Sequence, residues 1–220
     1  FAWDQIVNSE DSWLIGAFQN QPAVDGFDLG WGVYNQITHI VSGNKIFILK
    51  LSNGEYKKLI IDELTGGAFT FHYADLDGTN LVSATIDKAN YSGKNFGYYS
   101  IQNNTAIDRE PNSESWDLLF TKYVVNLGGG MYYGVTGVLG NLGVQVAQIN
   151  NVNNIATEDW TNQTYSEDIG TIGYDWKAFN MTTFAYEIED SLVYFIEDKE
   201  GDIYKVIFTD FGGSATGDFV

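Results

Sequence analysis

The chain carries one β-rich block twice. Trp31-Gly-Val-Tyr-Asn-Gln-Ile-Thr-His39 aligns with Trp176-Lys-Ala-Phe-Asn-Met-Thr-Thr-Phe184: Trp, Asn and Thr coincide, and Tyr34 faces Phe179. Lys45-Ile-Phe-Ile-Leu-Lys-Leu-Ser-Asn-Gly-Glu-Tyr-Lys-Lys-Leu-Ile-Ile61 then aligns with Leu192-Val-Tyr-Phe-Ile-Glu-Asp-Lys-Glu-Gly-Asp-Ile-Tyr-Lys-Val-Ile-Phe208. Here Gly54 falls on Gly201, Lys58 on Lys205 and Ile60 on Ile207, after a two-residue insertion. Repetition at a fixed period implies that each copy folds as one supersecondary unit, so two similar units are expected.

Within each block an apolar run meets a tight turn, Asn53-Gly54 in the first and Glu200-Gly201 in the second, and a second run returns. Asn-Gly supplies the positive φ angles that a tight turn requires. Ala68–Ala74, Asn95–Ile101, Trp116–Val125, Met131–Leu139 and Leu142–Ile149 read as further strands, and the Asn-rich stretch 150–173 as a long loop or helix around Ile155–Trp160. Aromatics at 15%, with 24 Gly against 2 Pro, suit short strands joined by tight turns. The fold class is therefore all-β: duplicated antiparallel β-sheet units forming an incompletely covered sandwich with little helix. Residues 1–83 read as the closing half of a first unit and 84–220 as a nearly complete second one. A half unit leaves a sheet edge open, and that edge is expected to pair with another protein chain or with another copy of this one.

The 29 acidic and 11 basic residues leave a net charge of −18. Such a surface repels phosphate backbones and anionic head groups, which argues against nucleic acid as a partner. No apolar run approaches the roughly 20 residues of a membrane helix, so no membrane insertion is expected. The absence of Cys removes disulfides, thiolate nucleophiles and Cys-based zinc sites. The chain opens at Phe1 without Met or a signal peptide, and its last strand is only beginning at Gly217-Asp-Phe-Val220. Processing at the first end and an extension at the second are the expectations.

Phe96-Gly-Tyr-Tyr-Ser100, Ser115-Trp-Asp-Leu-Leu-Phe-Thr-Lys-Tyr123 and Val193-Tyr-Phe-Ile-Glu-Asp-Lys-Glu-Gly-Asp-Ile-Tyr-Lys-Val-Ile-Phe-Thr-Asp210 together resemble the HmuY haemophore-like family of Bacteroidetes. The resemblance covers about residues 95–220, and 31–73 matches the family's closing half. Gly30-Trp-Gly-Val-Tyr-Asn35, Tyr73-Ala-Asp-Leu-Asp-Gly78 and Asp108-Arg-Glu-Pro111 are similar to large secreted proteins with HmuY-like repeats and a type IX secretion sorting signal. The resemblance implies an extracellular or outer-surface location. It also implies haem ligands at Met181, five residues after Trp176, and at Met131 in the middle region; a thioether is a soft axial donor.

Other candidates come from the residues themselves. Asp75, Asp77 and Asn80 in Asp75-Leu-Asp-Gly-Thr-Asn80 offer alternating oxygens around a Gly turn, as calcium loops do, or simply form an Asx turn. Trp3, Trp13 and Trp160 stand in polar surroundings and could stack against carbohydrate, whereas Trp31, Trp116 and Trp176 open strands and belong in the core. His39 and His72 lack a third partner for a metal site. Arg109, the only Arg, sits between Asp108 and Glu110 and reads as a structural ion pair. No Gly-x-Ser-x-Gly elbow or His-Glu-x-x-His motif occurs, and no pair of carboxylates is singled out. The leading reading is a non-catalytic exported surface protein acting in binding or extracellular assembly, with no required cofactor. A haem carrier and a carbohydrate-binding module are the alternatives.

Overall fold

The computed structural model describes Glu10, Trp13, Gly16, Phe18 and residues 26–128 and 131–220. Among them are 15 strands and two single-turn 3₁₀ helices, and every strand pairing is antiparallel. The chain is all-β, with little helix. It divides into two compact units, one holding Ser12–Asn112 and the other Ser113–Val220.

In the first unit, β1 (Gly32–Asn35), β2 (Ile40–Gly43), β3 (Phe47–Lys50), β4 (Tyr56–Thr65), β5 (Ala68–Asp75) and β6 (Val82–Asp87) form one sheet. Its order is β1-β2-β4-β5-β6, with β3 also on β4. A 3₁₀ turn (Lys88–Tyr91) and the hairpin β7 (Tyr98–Ser100) and β8 (Thr105–Ile107) follow. Trp31, Val41, Phe47, Leu59, Phe71 and Tyr73 are buried in a single cluster. Ala84, Ile86, Tyr99 and Ile101 pack against that cluster, and the Tyr99 ring meets Phe71 edge-on at 5.0 Å. The boundary expected at 83/84 therefore lies at Asn112/Ser113. The turn Asp75–Asn80 folds β6 back onto β5 within that unit.

The second unit contains β9 (Leu118–Asn126), β10 (Tyr132–Gly140), β11 (Gln145–Ile149), β12 (Lys177–Asn180), β13 (Ala185–Ile188), β14 (Val193–Glu197) and β15 (Ile203–Val206). They form a β9–β10 ribbon, a β12–β13 ribbon and a three-stranded sheet β11-β14-β15. Stretch 150–173 holds turns and no helix. Trp176, 1% exposed, centres this core and stacks on Phe208 at 3.9 Å.

The repeated sequence adopts one conformation twice. Phe47↔Leu59, Ile48↔Lys58, Leu49↔Lys57 and Lys50↔Tyr56 pair across β3–β4. Their counterparts Tyr194↔Val206, Phe195↔Lys205, Ile196↔Tyr204 and Glu197↔Ile203 pair across β14–β15 in the same register. Gly54 and Gly201 turn the two hairpins with φ of 88° and 86°, a region that costs glycine little. In the β1–β2 turn the Asn35 carboxamide oxygen accepts the N–H of Ile37 and Thr38, and His39 has φ 58°. In the β12–β13 turn Asn180 accepts Thr182 and Thr183 identically, and Phe184 has φ 54°. The coinciding Asn residues thus carry the same local task, an Asx turn that closes a four-residue loop.

One difference between the copies lies in how the first ribbon connects to its sheet. β2 pairs with β4 through Val41↔Leu64 and Ser42↔Glu63, whereas β13 pairs only with β12. Gly43 explains the first arrangement, because the Ile61 carbonyl occupies the space its Cβ would need. Ile188 stands at the equivalent position of the second unit and cannot let a strand pass so closely. There Tyr186 and Phe211, counterparts of Val41 and Leu64, meet as rings at 4.9 Å instead of as ladder partners.

Candidate functional site

β3 and β14 are the same strand in two settings. Both alternate between the Trp core and an opposite face, and both are apolar on each side: Phe47 and Leu49 inward with Ile46 and Ile48 outward, and Tyr194 and Ile196 inward with Val193 and Phe195 outward. A strand apolar on both faces belongs in the middle of a covered sheet. β14 has that setting. Its outer edge pairs with β11 from Val193↔Ile149 to Glu197↔Gln145. Its outward residues pack beneath Val152, Ile155 and Tyr165 from stretch 150–173. Val193 and Phe195 are accordingly 0% and 2% exposed.

β3 has neither neighbour among the described residues. It pairs with β4 alone, and no backbone hydrogen bond reaches its outer edge from any described residue. Ile46 and Ile48 are 64% and 38% exposed. Full burial of an aliphatic side chain is worth roughly 1.5–3 kcal/mol, so an occupant gains both a backbone ladder and this apolar contact.

The edge is also the basic part of an acidic molecule. Lys45 and Lys50 bracket the strand, and Lys57 and Lys58 follow on β4; of the 11 bases only Lys122, Lys177, Lys199 and Lys205 lie in the second unit. Lys57 is hydrogen-bonded to Asp75, which raises the Lys57 pKa above its ordinary value and lowers that of Asp75. Lys50 lies 5.9 Å over the Tyr56 ring, and Lys58 donates to the Leu76 carbonyl at 3.4 Å. In the second unit the β14–β15 turn is acidic, with Asp198, Glu200 and Asp202. The far side of β15 meets no strand among the described residues, whereas the equivalent side of β4 carries β5.

The other sequence candidates fall as follows. Asp75, Asp77 and Asn80 come together in the β5–β6 turn, but their oxygens are in use. Asp75 accepts from Lys57, Thr79 and Asn80, and Asp77 accepts the Thr79 N–H (2.9 Å) and hydroxyl (2.7 Å). A cation there would have to displace the Lys57 ammonium. No group of three or more His, Asp or Glu gathers for a metal ion among the described residues. His39 bonds the Tyr34 hydroxyl at 2.6 Å and His72 faces Asp62 at 2.8 Å, each with its own partner. Met131 and Met181 sit exposed at the tips of separate hairpins, β9–β10 and β12–β13. Trp13 is half-buried and packs edge-on against Phe96 at 5.1 Å, Trp160 is exposed, and Trp3 lies outside the described residues. Arg109 lies 5.1 Å over the Tyr98 ring. No helix among the described residues is long and apolar enough to cross a membrane.

No family model, curated protein or solved structure matches the chain. The haemophore-like resemblance rests on the motifs that carry it.

Proposed function

We propose that the protein is a non-catalytic, exported assembly protein, and that its working surface is the open edge of β3. One observation carries the reading: β14 has β11 and stretch 150–173 where β3, identical in register, meets no further strand among the described residues and leaves Ile46 and Ile48 exposed. The occupant is an antiparallel strand of a second copy, supplied by the β15 side of its acidic unit. Pairing in that direction lays Lys50 near the Asp198–Asp202 turn and joins a basic edge to an acidic one. Because the two edges differ, the contact is head-to-tail and builds chains of copies, not closed pairs. The acidic composition and the haemophore-like motifs support a setting outside the cell.

Sedimentation velocity of the whole chain over a concentration series tests this. Concentration-dependent association is expected, weakened by salt and abolished by Ile48→Lys, which puts a charge in the middle of the edge while leaving the Trp31 core folded. A monomer at every concentration, or association that Ile48→Lys leaves unchanged, would overturn the reading.

A further inference from the structure

The first unit's sheet leaves a hollow on the side away from Ile46 and Ile48. Leu59 and Ile61 of β4, Phe69 of β5 and Ile86 of β6 form its floor, and Phe96 and Tyr99 form its roof. The hollow is half-open and holds about 590 Å³, inside the range that takes drug-sized ligands. Alternation explains the floor, since these residues share one face of adjacent strands.

The roof is held in place from outside the cavity. The Glu110 carboxylate accepts the backbone N–H of Asn95 (3.1 Å) and Phe96 (2.9 Å), which fixes the segment entering β7. Gly97 lets the Tyr91 ring lie against the backbone, because a Cβ there would come within 2.8 Å of that ring. The hollow therefore belongs to a braced wall.

Two lysines border it, and they differ. Lys94 is ion-paired with Asp108. Lys88 makes no ion pair among the described residues; its amine lies 5.8 Å from the Phe69 ring centroid, above the floor. The adjacent Asp87 carboxylate is turned to the Ala89 N–H at 2.9 Å. In a chain of net charge −18, an ammonium that pairs with no carboxylate among the described residues, at the mouth of an apolar hollow, is an open counter-ion.

We infer that this cavity binds an amphipathic molecule with an apolar body and a single anionic head, the body lying on Ile61, Phe69 and Ile86 and the head on the Lys88 ammonium. A charge-assisted hydrogen bond at the rim orients the ligand, and burial of its apolar body supplies most of the affinity. The site lies on the opposite face from the β3 surface and does not depend on assembly.

Isothermal titration of the whole chain with dodecanoate, below its micellar range, and with 1-dodecanol tests the inference. Dodecanoate is expected to bind one per chain. Lys88→Glu should weaken it roughly tenfold or more, Lys88→Arg should restore it, and 1-dodecanol should ignore both changes. Ile61→Trp, or Ile86→Phe if the first variant does not fold, should fill the hollow and remove both ligands. Ile48→Lys should leave dodecanoate binding intact, which separates this site from the assembly edge. Absence of dodecanoate binding to the native chain would overturn the inference. So would equal affinity in Lys88→Glu, or unaltered binding in a folded cavity-filled variant.

Discussion

Gly43 passes so close to Ile61 that a Cβ on residue 43 would lie 1.7 Å from the Ile61 carbonyl oxygen. That approach ties the β1–β2 ribbon into the first unit's sheet, and its absence at Ile188 leaves β12–β13 as a separate ribbon. Gly43→Ala is expected to cost about 2 kcal/mol or more, the scale of overpacking against rigid backbone. Urea unfolding measures this. The substitution Ile188→Ala in the second unit removes a partly buried side chain but meets no such backbone clash. A loss no larger at Gly43 than at exposed Gly54→Ala would show that the close approach is not what joins the ribbon.

Asn35 and Asn180 close their turns in the same way, so the turn-closing part of their removal should cost similar amounts, with Asn180 also losing an exposed hydrogen bond to Glu187. Each accepts two backbone N–H groups in an exposed turn, and Asn→Ala at either is expected to destabilise its own unit by about 1 kcal/mol. Phe184 is exposed and holds a left-handed φ of 54°. Phe184→Gly should therefore recover up to about 1 kcal/mol. Thermal unfolding of the three variants gives the comparison, and strongly unequal Asn penalties would argue against the equivalence.

Lys177 gives the second unit a distinctive pH dependence. Its amine donates to the carbonyls of Thr136 (2.6 Å) and Tyr174 (3.3 Å) and lies 4.0 Å from the Trp176 ring centroid. Burial pushes its pKa from 10.5 down to about 8, against the opposing pull of Asp175. Between those values the unfolded chain holds a proton that the folded chain has lost, so stability rises with pH across that window. The amine is partly solvated, which makes the rise smaller than full burial would give. Burial also raises the pKa of Tyr123 and Tyr194, so their phenols resist ionisation in the folded chain, and they favour loss of stability only above about pH 10, where the unfolded chain's tyrosines ionise. The stability of the native chain minus that of Lys177→Met should accordingly climb from pH 8 to pH 10. Parallel curves would remove Lys177 as the source.

The hairpins were legible because two signals agreed: alternation in Lys45–Leu51 and Leu192–Ile196, and a glycine with positive φ between the paired runs. The matching Trp, Asn and Thr also marked equivalent places, although only the structure shows that the Asn closes the turn. The boundary expected at 83/84, just past the turn residues Asp75–Asn80, falls short of the first unit's end at Asn112. That cluster of turn residues looks the same whether it ends a unit or folds one strand onto the next, and Val82, Ala84 and Ile86 form too short an alternation to decide. The cover over Val193 and Phe195 was hidden for another reason. Val152, Ile155 and Tyr165 are scattered through an Asn-rich stretch with no period to reveal a common face. The open edge did leave a trace, since Lys45-Ile-Phe-Ile-Leu-Lys50 is apolar on both faces. Its cavity counterpart left none, because Lys88, Phe69 and Phe96 converge only through the return of the chain over the sheet.

Hydrogen exchange of the backbone amides in β3 and β14, followed as the protein is concentrated, addresses the open edge most directly. The amides of β14 should be protected throughout by β11 and β15. The outward amides of Ile46–Lys50 should exchange rapidly in dilute solution and become protected as copies associate. Protection of both strands at every concentration, or continued rapid exchange in β3 when the protein is concentrated, would contradict the assignment of that edge as the place where another chain adds.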